Sequence, residues 1–157
     1  MGAGDLKVTY ALEAELPRLR IPARTRSRIG DKLWQHTCFE LFIARHMPAY
    51  HEFNFSPSGE WAAYAFSRYR EGADLGDDAL DPLVTVRAGA QRLELDATVQ
   101  LGRLSPPHAA ARLSLALSAV IEDADGGLSY WALRHPPGKP DFHHPEAFAL
   151  ALDEVRN

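Results

Sequence analysis

The sequence predicts an all-β protein, folded as a single-domain antiparallel β-sandwich. Three observations carry that expectation. Apolar residues recur at every second position in several short runs, the period of a strand with one face buried and one in solvent. Clusters of Gly, Pro and Asp separate these runs roughly every 8–12 residues, the spacing of a sandwich rather than of a helical bundle. The chain has 157 residues and 46% hydrophobic content, enough for one substantial core.

The elements follow in order. Leu6, Val8, Tyr10 and Leu12 alternate with polar or small residues and form a first strand. Residues 33–43 read as a second, with Leu33, Gln35, Thr37, Phe39, Leu41 and Ile43 on one face and Trp34, His36, Cys38, Glu40 and Phe42 on the other. In the next run Phe53 and Phe55 take the core side, so Glu52 and Asn54 look away from it. Pro57-Ser-Gly59 closes a hairpin into the strand that begins near Trp61. Residues 70–81 are polar, acidic and glycine-containing, and read as a long surface loop with room for a helical turn. Gly89-Ala-Gln91 is a hairpin turn before the alternation Leu93, Leu95, Ala97, Val99, Leu101. The prolines of 104–108 and 135–140 place those segments in loops. Leu113, Leu115, Leu117, Ala119 and Ile121 alternate as a strand despite the alanines before them, and Asp125-Gly-Gly127 turns the chain back. Phe148, Leu150 and Leu152 end the series, which amounts to eight to ten short strands.

The net charge of −4 argues against a nucleic-acid partner, because a phosphate backbone requires a basic face. Tyr64, Phe66 and Tyr69 interleave with Arg68 and Arg70, yet in an acidic chain this reads as an amphipathic strand with cationic ends. No apolar run reaches the ~18 residues of a membrane span, and no signal-peptide pattern is visible. The expectation is therefore a cytoplasmic protein without a membrane partner. A lone cysteine, Cys38, excludes an internal disulfide and a multi-cysteine zinc site. Oligomeric state is left open.

A sugar site requires a flat aromatic face against the C–H side of a ring and carboxylate or amide groups for the hydroxyls. Trp34, Glu40, Glu52, Asn54 and Trp131 are the residue types that meet this need. Each has a structural alternative. Tryptophans of a sandwich pack in the core more often than they face a ligand, a reading that fits Trp61 and Trp131 best. Trp34 could be either. Glu40 is a binding group or the buried partner of an arginine such as Arg68 or Arg70. For a metal, His135 and His143 are the weak candidates, with His51 beside Glu52, but no metal-binding spacing is present. No nucleophile elbow, P-loop or dinucleotide fingerprint occurs. Glu40 with Glu52 or Asp141 could supply the carboxylate pair of a sugar hydrolase.

Two blocks carry a resemblance: 33–42, LWQHTCFELF, continued by 50–70, YHEFNFSPSGEWAAYAFSRYR, and the closing 130–144, YWALRHPPGKPDFHH. The chain resembles the bacterial DOMON-like proteins, which are related to family 9 carbohydrate-binding modules, over roughly residues 6–152. The resemblance implies an immunoglobulin-like or jelly-roll sandwich that binds a sugar or, in some relatives, heme. It matches Trp34 to a stacking tryptophan, Glu40 to its acidic neighbour and Asn54 to an amide on the following strand. His144 stands where the family carries a second tryptophan, with Phe142 or Trp131 as substitutes. Heme would call for an axial methionine and histidine, here Met47 with His143 or His144.

The expected function is a non-catalytic binding module for a small carbohydrate or sugar derivative. Trp34 stacks, Glu40, Glu52 and Asn54 take hydroxyls, and Lys139, Asp141 and His144 close the site from the loop that follows Trp131. No cofactor is required by this reading; heme or a structural calcium ion is the alternative, as is a sugar-acting hydrolase.

Overall fold

The computed structural model describes residues 4–153, which form ten strands in two antiparallel sheets. The strands are β1 (Asp5–Glu13), β2 (Cys38–Ala44), β3 (Tyr50–Phe55), β4 (Trp61–Arg68), β5 (Glu71–Asp74), β6 (Leu83–Ala88), β7 (Arg92–Gln100), β8 (Leu113–Glu122), β9 (Leu128–Ala132) and β10 (Leu150–Leu152). The smaller sheet has the order β1-β7-β6. The larger runs β10-β8-β2-β3-β4-β5, and β9 pairs with β8 beyond the reach of β10. The β-sandwich expected from the alternation is what forms.

The core lies between the sheets. Leu6, Val8 and Tyr10 of β1 and Leu93, Leu95, Ala97 and Val99 of β7 pack against Phe39, Leu41 and Ile43 of β2, Phe53 and Phe55 of β3, and Trp61 of β4. The phase of each strand is the one its sequence prescribes. The opposite face of the small sheet is a charge ladder, with Lys7, Arg87 and Arg92 paired to Asp96, Glu94 and Glu13. One long-range contact ties the layers: the Tyr10 phenol donates to the Glu40 carbonyl oxygen across the sandwich at 2.6 Å.

The large sheet is apolar on part of its outer face as well. Phe42, Ala44, Tyr50, Ala116 and Ala147 form a second buried cluster, with Phe66, Phe142 and Phe148 packed on it. The loop after β9 therefore lies over the sheet.

Three local expectations are corrected. Residues 33–37 do not extend β2. Leu33–Gln35 is a 3₁₀ turn, entered through Lys32 at φ 51°, and the strand starts at Cys38. Residues 70–81 are not all loop, because β5 adds an edge strand there before a 3₁₀ turn at Asp78–Leu80. Its fully exposed polar sequence hides it from any alternation test. The alternating run of β7 stops at Gln100, and Leu101 opens a four-residue helical turn.

Candidate ligand-binding site

The register of the large sheet builds the site. On its outer face Ser118 of β8, Glu40 of β2, Asn54 of β3 and Ala62 of β4 stand in one row across the strands. Ala116, Phe42, Glu52 and Tyr64 form the next row. Glu40 and Glu52 are thus diagonal neighbours, within reach of each other across adjacent strands. The small residues Ser118, Ala116 and Ala62 keep the sheet surface low around them. Aromatic side chains rise at the margins, and a concavity of about 650 Å³ results, inside the ~300–1,000 Å³ typical of small-molecule sites.

Its floor is Glu40, Glu52 and Val120, and its walls include Trp34, Tyr64, Phe66, Tyr130, Phe142 and His143, with Arg70 at the edge. The 3₁₀ turn holds Trp34 at the rim, 43% exposed, edge-on to Tyr64 with ring centroids 6.4 Å apart. Tyr130 enters because it is the β9 partner of Val120, and Phe142 packs edge-on against it at 6.1 Å.

The two carboxyl groups are deeply placed, with Glu40 3% and Glu52 6% exposed. Burial drives both above the usual carboxylate range, Glu52 to about 7. Repulsion from Glu52 raises Glu40 further. Arg70 draws both back toward the charged form. The nearby Asn54 amide also favours the charged form of Glu52, without a hydrogen bond of ordinary geometry. The Cys38 thiol, on the same face, points a weak S–H···O contact at Glu40 Oε1 over 3.8 Å. Burial and that carboxyl push the thiol up, so Cys38 is no nucleophile.

Among the described residues Glu40 has no arginine partner. Arg70 bonds Asp141 Oδ1 at 2.8 Å and reaches the Tyr69 oxygen at 3.2 Å, while Arg68 pairs with Glu71. Around Glu40 the polar groups lack hydrogen bonds of ordinary geometry: both amide atoms of Asn54 and the Ser118 hydroxyl are buried, close enough to Glu52 and Glu40 only to favour their charged forms. Each such atom costs on the order of 1–3 kcal/mol.

His143 sits among Phe42, Tyr50 and Phe66, with ring centroids 5.1–5.8 Å away. Burial in this apolar nest, with the Arg70 charge beside it, lowers its pKa to about 4. The Tyr50 hydroxyl accepts the Arg70 backbone N–H at 3.1 Å and shares a hydrogen bond of 2.8 Å with His143 Nδ1. The other ring nitrogen, Nε2, lies 3.5 Å from Glu52 Oε2. Asp141 secures the same loop: it accepts from Tyr69, Arg70 and the His143 N–H. Burial would raise its pKa, but the Tyr69 and Arg70 contacts outweigh it and hold the carboxyl below its ordinary value.

The structure brings together only some of the residues singled out in the sequence. Trp34, Glu40 and Glu52 line the concavity, and Asn54 lies beneath its floor at 0% exposure. Asp141 clamps the loop but does not line the site. Trp131 does not join them. As the partner of Ala119 it projects to the opposite side of β9, 63% exposed, beside a second cleft between the sheets. His144 is no second wall, because its Nδ1 accepts the Glu146 N–H and caps the 3₁₀ turn Pro145–Ala147. Lys139 is exposed and outside the lining, where its neighbour Pro140 is found.

Sequence reasoning missed Tyr64, Tyr130 and His143 as wall residues, and named Phe142 only as a substitute for the second tryptophan. The signal for Tyr64 was present in its alternation with Phe66. Choosing Tyr130 over Trp131 requires the β8–β9 register.

The metal candidates do not converge. His135 is exposed and tilts against Phe142 at 6.3 Å, and no group of three or more His, Cys, Asp or Glu side chains could hold an ion among the described residues. Heme ligation by Met47 and His143 does not fit either. Met47 is exposed on the β2–β3 turn outside the concavity, and His143 is committed to Tyr50. No helix among the described residues is long and apolar enough to cross a membrane.

No family model matches this chain, and no curated protein matches it in sequence. A solved structure of similar fold is the crystal structure of a "putative carbohydrate-binding protein" from Bacteroides uniformis ATCC 8492. The two superpose with a TM-score of 0.51 over 91% of this chain and 68% of that one, at 13% sequence identity. At that identity the likeness shows a shared fold.

Proposed function

We propose that this protein binds a small carbohydrate or sugar derivative in the concavity on the large sheet. The observation that carries the reading is the pair of buried carboxyl groups on the floor of an aromatic-walled hollow. Trp34 at the rim offers a ring face to the C–H side of a sugar, and Glu40 and Glu52 meet its hydroxyls. The carbohydrate-binding name of the structural neighbour and the resemblance to DOMON-like and family 9 modules support the same reading.

The reading is one of binding, with a sugar-acting hydrolase as the alternative. Glu40 and Glu52 are diagonal neighbours on one face of one sheet, a placement equally open to a carboxyl pair that flanks a glycosidic bond, and turnover decides between the two.

Calorimetric titration with a panel of mono- and disaccharides tests the proposal. Trp34→Ala is expected to weaken binding about tenfold or more, the loss of one stacked ring face. Trp131→Ala is expected to leave affinity unchanged. Affinity insensitive to Trp34→Ala but lost in Trp131→Ala would overturn the site. Turnover of aryl glycosides that disappears in Glu40→Gln would overturn the non-catalytic assignment.

A further inference from the structure

Resting on that reading, we propose that the ligand carries a positively charged amine: the concavity accepts an amino sugar, its ammonium seated between Glu40 and Glu52. Three independent features lead there. The first is charge balance. Two carboxyl groups are buried side by side on the floor, and among the described residues the only ion-pair contact to either is His143 with Glu52. Arg70, at the edge, is held by Asp141 and Tyr69 and makes no ion pair with either floor carboxyl, favouring their charged forms only from a distance. His143, the basic group that does touch Glu52, is buried among three aromatic rings and stays neutral near pH 7.

The second is unmade hydrogen bonding. The floor carboxyl groups are met only by the weak Cys38 thiol contact on Glu40 Oε1 and by His143 Nε2 at 3.5 Å from Glu52 Oε2. An ammonium group brings three donors and no acceptor, which suits these carboxyl oxygens. The third is the walls. Trp34, Tyr64 and Tyr130 surround this floor, and the faces of such rings attract a cation. Carboxyl groups below and aromatic rings around are the chemistry that recognises a protonated amine.

A consequence follows for protons. Without a ligand, Glu40 and Glu52 relieve their burial and mutual repulsion by holding protons. A seated ammonium removes the need for them, so amine binding near neutral pH releases protons from the pair. The other titratable groups facing it are Cys38, Tyr64, Tyr130, Arg70 and His143. Cys38 and Tyr64 stay protonated and His143 unprotonated across this range, which leaves the release to the carboxyl pair. A neutral sugar, accepting a hydrogen bond from a protonated carboxyl group, would release none.

The test is calorimetry at pH 7 with glucosamine, galactosamine, their N-acetyl forms, glucose and galactose, each run in two buffers of different ionisation enthalpy. The amino sugars are expected to bind about tenfold or more tightly than the neutral and acetylated ones, the gain of one charge-assisted hydrogen bond. Their heats should differ between buffers by the enthalpy of the released protons. Glu52→Gln, a near-isosteric change checked for folding by thermal melting, is expected to remove both the preference and the proton release. Equal affinity for glucose and glucosamine would overturn the amine proposal while leaving the carbohydrate reading intact. So would binding of calcium ion at the pair with no amine preference. If none of these sugars binds, the carbohydrate reading itself fails.

Discussion

Glu52 shows how a single residue links site chemistry to stability. Its folded pKa is about 7 against an ordinary 4.5, so between these values the folded protein holds a proton that the unfolded chain has released. Stability falls as pH rises through that window, and the cost above it is about 3 kcal/mol. Glu52→Gln should therefore match wild type near pH 4.5 and melt at a higher temperature near pH 8. A difference that does not grow with pH would show that Glu52 is not held protonated. His143 acts in the opposite sense. Its pKa is lowered to about 4, so it supports stability above its unfolded value of 6.5, and that support is lost as pH falls toward 4. The paired mutant comparison separates the two. The positions of Glu40, Glu52 and Asn54 away from the core were legible from strand parity alone, because Phe39, Leu41, Phe53 and Phe55 fix the phase. The choice of Tyr130 over Trp131 was not, since parity within one strand leaves its face undecided until a neighbour sets the register.

At the scale of elements, the site depends on two segments that carry no alternation. The turn Leu33–Gln35 presents Trp34, and the β4–β5 hairpin presents Tyr69 and Arg70 to Asp141 on the closing loop. Alternation locates strands, so it extended β2 backward over the turn and passed over β5, whose residues are all exposed. The Asp141 clamp is a surface contact, with Arg70 half exposed, worth roughly 1 kcal/mol or less to global stability. Asp141→Ala is thus expected to leave the melting temperature nearly unchanged while weakening ligand affinity, as the loop carrying Phe142 and His143 loosens. Unchanged affinity would remove the loop from the site. Gly72 marks where β5 can approach. A Cβ there would stand 2.1 Å from the Ala65 carbonyl oxygen. Gly72→Ala should detach the edge strand, seen as faster amide exchange in Glu71–Asp74 without loss of the core.

For the molecule as a whole, the large sheet has two apolar faces with different duties. The inner face joins the small sheet in the main core, and part of the outer face seats the closing loop through Phe42, Tyr50 and Phe148. Leu95→Ala, deep between the sheets, should cost about 2–5 kcal/mol and weaken the entire fold. Phe42→Ala should mainly release the loop, so ligand affinity is expected to fall by a larger factor than in Leu95→Ala variants that remain folded. Equal effects of the two on affinity would show that the loop is not a separate unit. The sandwich itself was legible because so many strands repeat one period. The second cluster was not, because it forms only when residues 142–148 return over β2 and β3, a contact between segments about a hundred residues apart. The most direct test of the central claim is a backbone and indole NMR titration with the sugar panel. Binding in the concavity should shift the Trp34 indole together with Glu40, Glu52, Tyr130 and His143, and leave Trp131 and Leu133 in place. Shifts centred on Trp131 and Leu133, or none with any sugar, would contradict it.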